Sequence, residues 1–240
     1  MKNIFKKIKE ENQDEVAKEN ISENDIDNLD SNSEMEEEAK EFNSFFNEVL
    51  KKLPQKTSAA VMGAFDKSKL QAEKIMASSK EHYESIFDEF LDGVDVEIRK
   101  KAYSTIHAAT LTAAIIGCSP IPFSDAVLLV PVQLTMMARL HKMFGQSWSE
   151  NLGAAFYKEL VVVGFGRSIV GNMLKMLPAV GTVAGAAING TVASAITATL
   201  GWITVKMLND GEDIFENVMS FKGQFNTLLK AVQKSNKTNN

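Results

Sequence analysis

The stretch MLPAVGTVAGAAINGTVASAITATLGWITV, residues 176–205, decides the fold of this chain. It contains no charged residue, and most of its positions are glycine, alanine, serine or threonine. A helix rises about 1.5 Å per residue, so this stretch is long enough to cross a hydrocarbon core of roughly 30 Å. Small side chains let helices meet closely, inside a membrane or in a soluble core. We predict that this packing face consists of Gly181, Gly185, Gly190 and Ser194.

A second apolar region lies upstream, at residues 104–138, where His107 and Asp125 are the only charged or histidine residues. Pro120 and Pro122 divide the region, because proline interrupts a helix. The pattern therefore predicts a helical hairpin, and we expect Gly145 to end its second arm. Its arms are long enough for a short spanning or re-entrant pair, and a hairpin buried in a soluble bundle has the same pattern.

The segment between these two regions predicts one more helix. Ser147 followed by Glu150 forms a capping box, in which the serine is the N-cap and the glutamate bonds back to it. We expect the helix to run from this box to about Leu177.

The N-terminal part is polar. Residues 10–41 are strongly acidic and predict disorder, because they offer little apolar surface to bury. The basic start, residues 1–9, is either disordered as well or a short amphipathic turn that touches anionic lipid. Apolar residues at helical spacing predict two amphipathic helices, from Glu36 to about Lys52 and over residues 57–91.

Together these patterns predict an all-α protein. We expect a helical bundle with Gly/Ala-rich apolar helical hairpins, preceded by an acidic disordered tail and two amphipathic helices. The predicted domains are the tail (1–35), the amphipathic helices (36–95), the apolar helical domain (96–210) and a C-terminal helix with a disordered end (211–240).

The residues that carry chemistry are few and scattered. Cys118 is the only cysteine, which excludes an intramolecular disulfide and a cysteine-based zinc site and fits a reducing compartment. The three histidines, His82, His107 and His141, fall on separate predicted helices without a second ligand nearby. We therefore predict no catalytic residue, no metal and no cofactor, and hence a protein that is not an enzyme.

Two charges stand in apolar surroundings, Asp125 and Arg167. An unpaired charge is costly in such a place, so the two are a candidate structural or intramembrane pair. The alternative makes Asp125 a helix cap and Arg167 a surface residue. The chain has a net charge of −5 and no stripe of basic residues, so we predict no nucleic-acid partner.

Several motifs occur in an order that resembles a known family. They are Ser119-Pro-Ile-Pro-Phe-Ser-Asp125, Val132-Gln-Leu-Thr-Met-Met-Ala-Arg139, Phe165-Gly-Arg167, Leu177-Pro-Ala-Val-Gly-Thr-Val-Ala-Gly-Ala-Ala-Ile-Asn189 and Thr197-Ala-Thr-Leu-Gly-Trp202. Over residues 100–208 the chain resembles the YcjF-related bacterial domain of unknown function, family 697 (DUF697-like), with a weaker similarity to EcsC-type proteins. The resemblance implies a helical, membrane-associated domain, often placed behind an Era-like or dynamin-like GTPase domain, without an agreed activity. We find no nucleotide-binding motif in this chain, so the resemblance implies a GTPase only in trans.

Three functions are compatible with these observations. The leading hypothesis is a non-enzymatic membrane-associated scaffold or regulatory protein on the cytoplasmic side of the inner or plasma membrane, with membrane lipid, a protein partner such as a GTPase, and further copies of itself as partners. The second is a soluble adaptor in the cytoplasm with a Gly/Ala-rich core. The third is a triggered membrane-inserting or pore-forming helical protein.

Overall fold

The computed structural model describes residues 23–120, 126–163 and 186–238, and the regular structure in these ranges is entirely helical. The predicted all-α class is confirmed. The α-helices are α1 (Glu23–Lys52), α2 (Gln55–Gly63), α3 (Phe65–Phe90), α4 (Val96–Cys118), α5 (Val130–Met143), α6 (Glu150–Val163), α7 (Ala186–Asn209) and α8 (Val218–Thr238), and a short 3-10 helix (Ala126–Leu129) precedes α5.

The chain divides into two compact units, residues 1–40 and residues 41–240. In the first unit the described residues are helical from Glu23 onward, whereas we predicted a helix only from Glu36. Each residue added to an existing helix gains a backbone hydrogen bond, so a polar segment that continues a packed helix can be helical without burying apolar surface. Residues 1–22, the remainder of the predicted disordered tail, lie outside the described part.

Helices α4 and α7 form the centre of the second unit. Every residue from Ala108 to Ser119 is buried, and so is every residue from Val192 to Val205. A helix that is buried on all its faces belongs in the interior of a protein or of a membrane. Here the covering is protein, because α3, α5 and α8 pack around the central pair.

Helix α7 has the length and composition of a membrane span over Ala187–Asn209, and in the described part of the chain it is the one helix that does. In the structure 89% of the most apolar 18-residue window of that span is buried inside the bundle. The core helix of a soluble protein has the same two properties, so neither property alone places α7 in lipid.

The amphipathic helices cover this centre with their apolar faces. On α1 the buried residues Phe42, Phe45, Phe46 and Val49 follow the predicted spacing. The predicted helix over residues 57–91 is divided into α2 and α3 at Ala64. The Ala64 amide donates to the Val61 carbonyl, only three residues back, which tightens and ends α2.

Two glycines with a left-handed backbone conformation follow the ends of α5 and α7. Gly145 follows α5 with φ +69°, and Gly211 follows α7 with φ +76°. After α5, the Gly145 amide donates to the Lys142 carbonyl and the Gln146 amide to the His141 carbonyl, the Schellman pattern. The predicted stop at Gly145 is confirmed.

The prediction of a capping box at Ser147 is wrong. Helix α6 begins at Glu150, and the Ser149 hydroxyl accepts a hydrogen bond from the Leu152 amide at 3.4 Å. The side chain of Trp148 packs over Gly153, where a Cβ atom would collide with the indole ring. This contact between the residue before the cap and the first helical turn places the start of α6 after Trp148.

Candidate functional site

Helices α4 and α7 approach each other closely at two glycines, Gly117 and Gly190. A Cβ atom at Gly117 would lie 2.8 Å from the Asn189 carbonyl oxygen and 2.9 Å from the Gly190 Cα atom. Both are backbone atoms, which cannot rotate away. Glycine at position 117 therefore lets the two helices meet backbone to backbone.

Gly190 occupies the opposite side of the same contact. A Cβ atom there would collide with the Cys118 sulfur and would lie 3.0 Å from the Ile75 side chain of α3. Farther along α7, a Cβ atom at Gly201 would lie 2.8 Å from Ile106 of α4 and 3.0 Å from the sulfur of Met136 of α5. Glycines at these two positions of α7 therefore let α3, α4 and α5 pack closely against it.

The predicted site residues fall partly outside the described ranges. Asp125, Arg167, Gly181 and Gly185 lie outside them, so their pairing and packing stay predictions. Gly190 lies in the α4–α7 contact. Ser194 is buried, and its hydroxyl donates to the Thr191 carbonyl within α7 at 2.9 Å.

Several buried hydroxyl groups of the central helices bond to carbonyl groups of their own helix, whereas the buried Thr110 hydroxyl on α4 has no hydrogen-bond partner among the described residues. The Thr112 hydroxyl donates to the Ala108 carbonyl at 2.8 Å, and the Thr199 hydroxyl donates to the Ala195 carbonyl at 2.7 Å. Between helices, the amide nitrogen of Gln133 on α5 lies 3.2 Å from the Thr197 hydroxyl on α7. The hydroxyl groups of Thr112, Thr197 and Thr199 therefore keep hydrogen-bond partners inside the core.

Arg139 is the hub of an ion-pair network that the sequence did not reveal. Its guanidinium group lies 2.8 Å from the Glu41 carboxylate and 2.7 Å from that of Glu48, both on α1. It also lies over the Phe45 ring, 5.1 Å from the centroid. Burial raises the pKa of Glu48, but hydrogen bonds from Arg139 and Lys52 hold that pKa below its ordinary value. The network ties α1 to α5.

His141 is enclosed by aromatic rings. It is 2% exposed, and the Trp148 and Phe215 rings lie 4.9 and 5.6 Å from it. Its Nδ1 atom is 2.7 Å from the Met137 carbonyl oxygen, so it donates there. Burial lowers the pKa of His141, although the Met137 bond and the charge of Asp213 oppose this shift. A neutral, buried histidine with these partners is a packing residue.

The described residues do not assemble a reactive centre. In residues 23–120, 126–163 and 186–238, no three His, Cys, Asp or Glu side chains converge as metal ligands. Burial raises the pKa of the Cys118 thiol to about 11, and burial also raises the pKa of the Tyr157 hydroxyl. A thiol needs its thiolate form to act as a nucleophile, so burial makes Cys118 a poor nucleophile.

The comparisons with known proteins point to one family. The family model described as "Domain of unknown function (DUF697)" matches residues 84–234. The match begins in α3 and ends in α8, so it includes all of the central pair. It extends beyond residues 100–208, the range over which the sequence motifs show the resemblance.

A relative among curated proteins is Magnetosome membrane protein 22 of Magnetospirillum gryphiswaldense. It is 30% identical over 118 residues, which cover 48% of this chain and 60% of the relative. The matched part of this chain thus spans less than two thirds of that protein. No solved structure matches this chain at a significant level.

Proposed function

This chain belongs to the DUF697 family, and from that premise we propose that it is a non-enzymatic, membrane-associated helical scaffold that keeps the apolar helix α7 inside a protein bundle. Helix α7 supplies the main support, because it has the composition of a membrane span and is sheathed by α3, α4, α5 and α8. The similarity to a protein named as a membrane protein supports the same proposal.

The outer surface indicates how such a bundle meets a membrane. Charged residues are exposed on the surrounding helices, among them Lys67 and Glu73 on α3 and Lys158 and Glu159 on α6. A bundle immersed in lipid would present apolar side chains outward, because exposed charges are costly there. The bundle therefore lies on the membrane surface in this proposal, and α7 does not face lipid.

The basic start of the chain is a suitable lipid contact. Residues 1–9 carry Lys2, Lys6, Lys7 and Lys9 beside Ile4, Phe5 and Ile8, a pattern that attracts anionic headgroups. The acidic residues that follow are repelled from the same surface. We therefore expect binding to vesicles that contain phosphatidylglycerol and weaker binding to phosphatidylcholine alone.

Flotation of the purified full-length protein with vesicles tests this proposal. We expect it to float with anionic vesicles and to be released by high salt, since screening weakens surface attraction. A Phe5→Glu variant should float less, and a matched Met62→Glu variant, changed at an exposed residue of α2, should float like the original. Recovery of all protein at the bottom of the gradient in low salt would refute membrane association.

A soluble adaptor is the second candidate function, and the burial of α7 favours it. In that case the protein stays monodisperse without detergent and does not float with vesicles of any composition. A pore-forming protein would instead release an entrapped dye from the vesicles in the same samples, so one set of vesicles separates the three functions.

A GTPase supplied in trans is the candidate protein partner, and only the family resemblance supports it. Capture of partners from a lysate with the tagged full-length chain should then depend on the nucleotide. We expect one GTPase to be enriched with either a non-hydrolysable GTP analogue or GDP, but not equally with both. Equal recovery, or none, would remove this part of the proposal.

A further inference from the structure

Two turns of the second unit meet around a surface depression with a volume of about 420 Å³. One turn joins α5 to α6 and the other joins α7 to α8. This volume lies in the range of small-molecule sites. The depression is lined by Gln146, Ser147, Trp148, Ser149, Leu152, Asp213 and Phe215.

The aromatic part of this depression is held in place from below. The rings of Trp148 and Phe215 lie 5.6 Å apart, and both pack against the buried ring of His141. Gly153 leaves room for the Trp148 indole, as described above. The two rings therefore form a fixed wall rather than mobile surface side chains.

The charged part of the depression is purely acidic. Asp213 is the only charged residue of the lining, and its Oδ1 atom accepts a hydrogen bond from the Phe215 amide at 2.7 Å. The two turns, residues 144–150 and 210–217, contain five acidic residues and no lysine or arginine. An anion is therefore disfavoured here, and a cation is attracted.

We propose that this depression binds an alkylammonium cation, with Asp213 as the counter-ion and Trp148 and Phe215 as the apolar wall. Aromatic faces attract quaternary ammonium groups, and a neighbouring carboxylate adds to that attraction. Gln146 and Ser147 are exposed polar residues of the lining, so the rim of the depression is in contact with water. The ligand is a free cation such as choline or the choline headgroup of a lipid, since both present the same group.

The test uses the full-length protein and tetramethylammonium chloride as the probe. The chain has two tryptophans, and so two indole N–H signals in a nitrogen–proton NMR spectrum. Trp202 is buried in the core, where it lies against Phe87, and serves as an internal reference. We expect the Trp148 signal to shift with saturation at millimolar probe while the Trp202 signal stays fixed. Sodium chloride at equal ionic strength should not reproduce the shift.

The decisive variant is Asp213→Asn, because asparagine keeps the acceptor for the Phe215 amide and removes only the charge. We expect it to weaken probe affinity about threefold to tenfold. The matched control is Asp210→Asn, which alters a neighbouring exposed carboxylate that pairs with Lys206 at 3.3 Å. Because Asp210 is not part of the lining and Lys206 offsets its charge, this control should change probe affinity by less than about twofold.

An unshifted Trp148 signal, or equal affinity in the Asp213→Asn variant, would overturn the proposal. Vesicles then distinguish the two sources of the ligand. If Asp213→Asn reduces flotation with phosphatidylcholine vesicles but not with phosphatidylglycerol vesicles, the ligand is a lipid headgroup. If flotation is unchanged while the NMR titration is weakened, the ligand is a free cation. The NMR titration contains no membrane, so its failure would leave the proposed membrane association standing.

Discussion

Replacing Gly117 by alanine tests the central packing of the fold. The added Cβ atom would lie 2.8–2.9 Å from backbone atoms of Asn189 and Gly190, so α4 and α7 would have to separate. Overpacking of this kind costs about 1–3 kcal/mol. The gain in helix propensity offsets little of that cost, because Gly117 is next to the last residue of α4. We therefore expect the Tm to fall by roughly 3–10 °C.

Gly223→Ala is the matched control for this substitution. Gly223 lies within α8, and a Cβ atom there would have no neighbour within 4 Å. Alanine is the better helix former, so this variant should gain about 0.5–1 kcal/mol. Both variants are compared with the original protein by circular dichroism at 222 nm during heating, in one buffer and at one protein concentration.

The reasoning fails if Gly117→Ala melts at or above the temperature of the original protein while Gly223→Ala behaves as expected. That result would mean that the backbones of α4 and α7 are not in contact at this point. A fall in Tm for both variants would instead indicate a general sensitivity to glycine substitution, which would also contradict the account.

Three further results are expected. Arg139→Met should lower the free energy of unfolding by about 1–3 kcal/mol, because Glu41 loses its cation and Glu48 keeps only Lys52. In a urea-denaturation cycle, adding Glu48→Gln should cost less than the sum of the single changes. Lowering the pH from 7 to 5 should destabilise the protein by up to about 1.4 kcal/mol per pH unit, as measured by urea unfolding. Burial lowers the pKa of His141 in the folded state, so below a pH of about 6.5 the unfolded state binds more protons than the folded state. The His141→Gln variant should lack this part of the pH dependence. Cys118 should react with a maleimide at pH 8 only as fast as the protein unfolds, measured by mass spectrometry, and rapid reaction of the folded protein would contradict its buried position.

Periodicity and composition were sufficient to predict the fold class. The spacing of Phe42, Phe45, Phe46 and Val49 gave the buried face of α1, and the prolines after Ser119 gave the break after α4. These signals are local: each depends on residues within a few turns of one another. For the same reason the end of α5 at Gly145 could be predicted from one glycine.

The contacts between distant segments could not be predicted in this way. No local pattern distinguishes Gly117, because its importance arises from Asn189 and Gly190 across the helix pair. The sequence around Arg139 does not indicate its ion pairs either, because its partners on α1 are more than 90 residues away in the chain. Ser149 rather than Ser147 caps α6, because the packing of Trp148 decides between two equally suitable serines.

Cell fractionation with an alkaline carbonate wash tests the central claim most directly. The full-length chain is expressed with a C-terminal fluorescent tag, and the membranes are collected and washed. We predict recovery with the membranes and release by carbonate, since α7 is covered by protein rather than by lipid. Retention in the washed pellet would contradict the buried position of α7, and recovery in the cytosol would contradict membrane association itself.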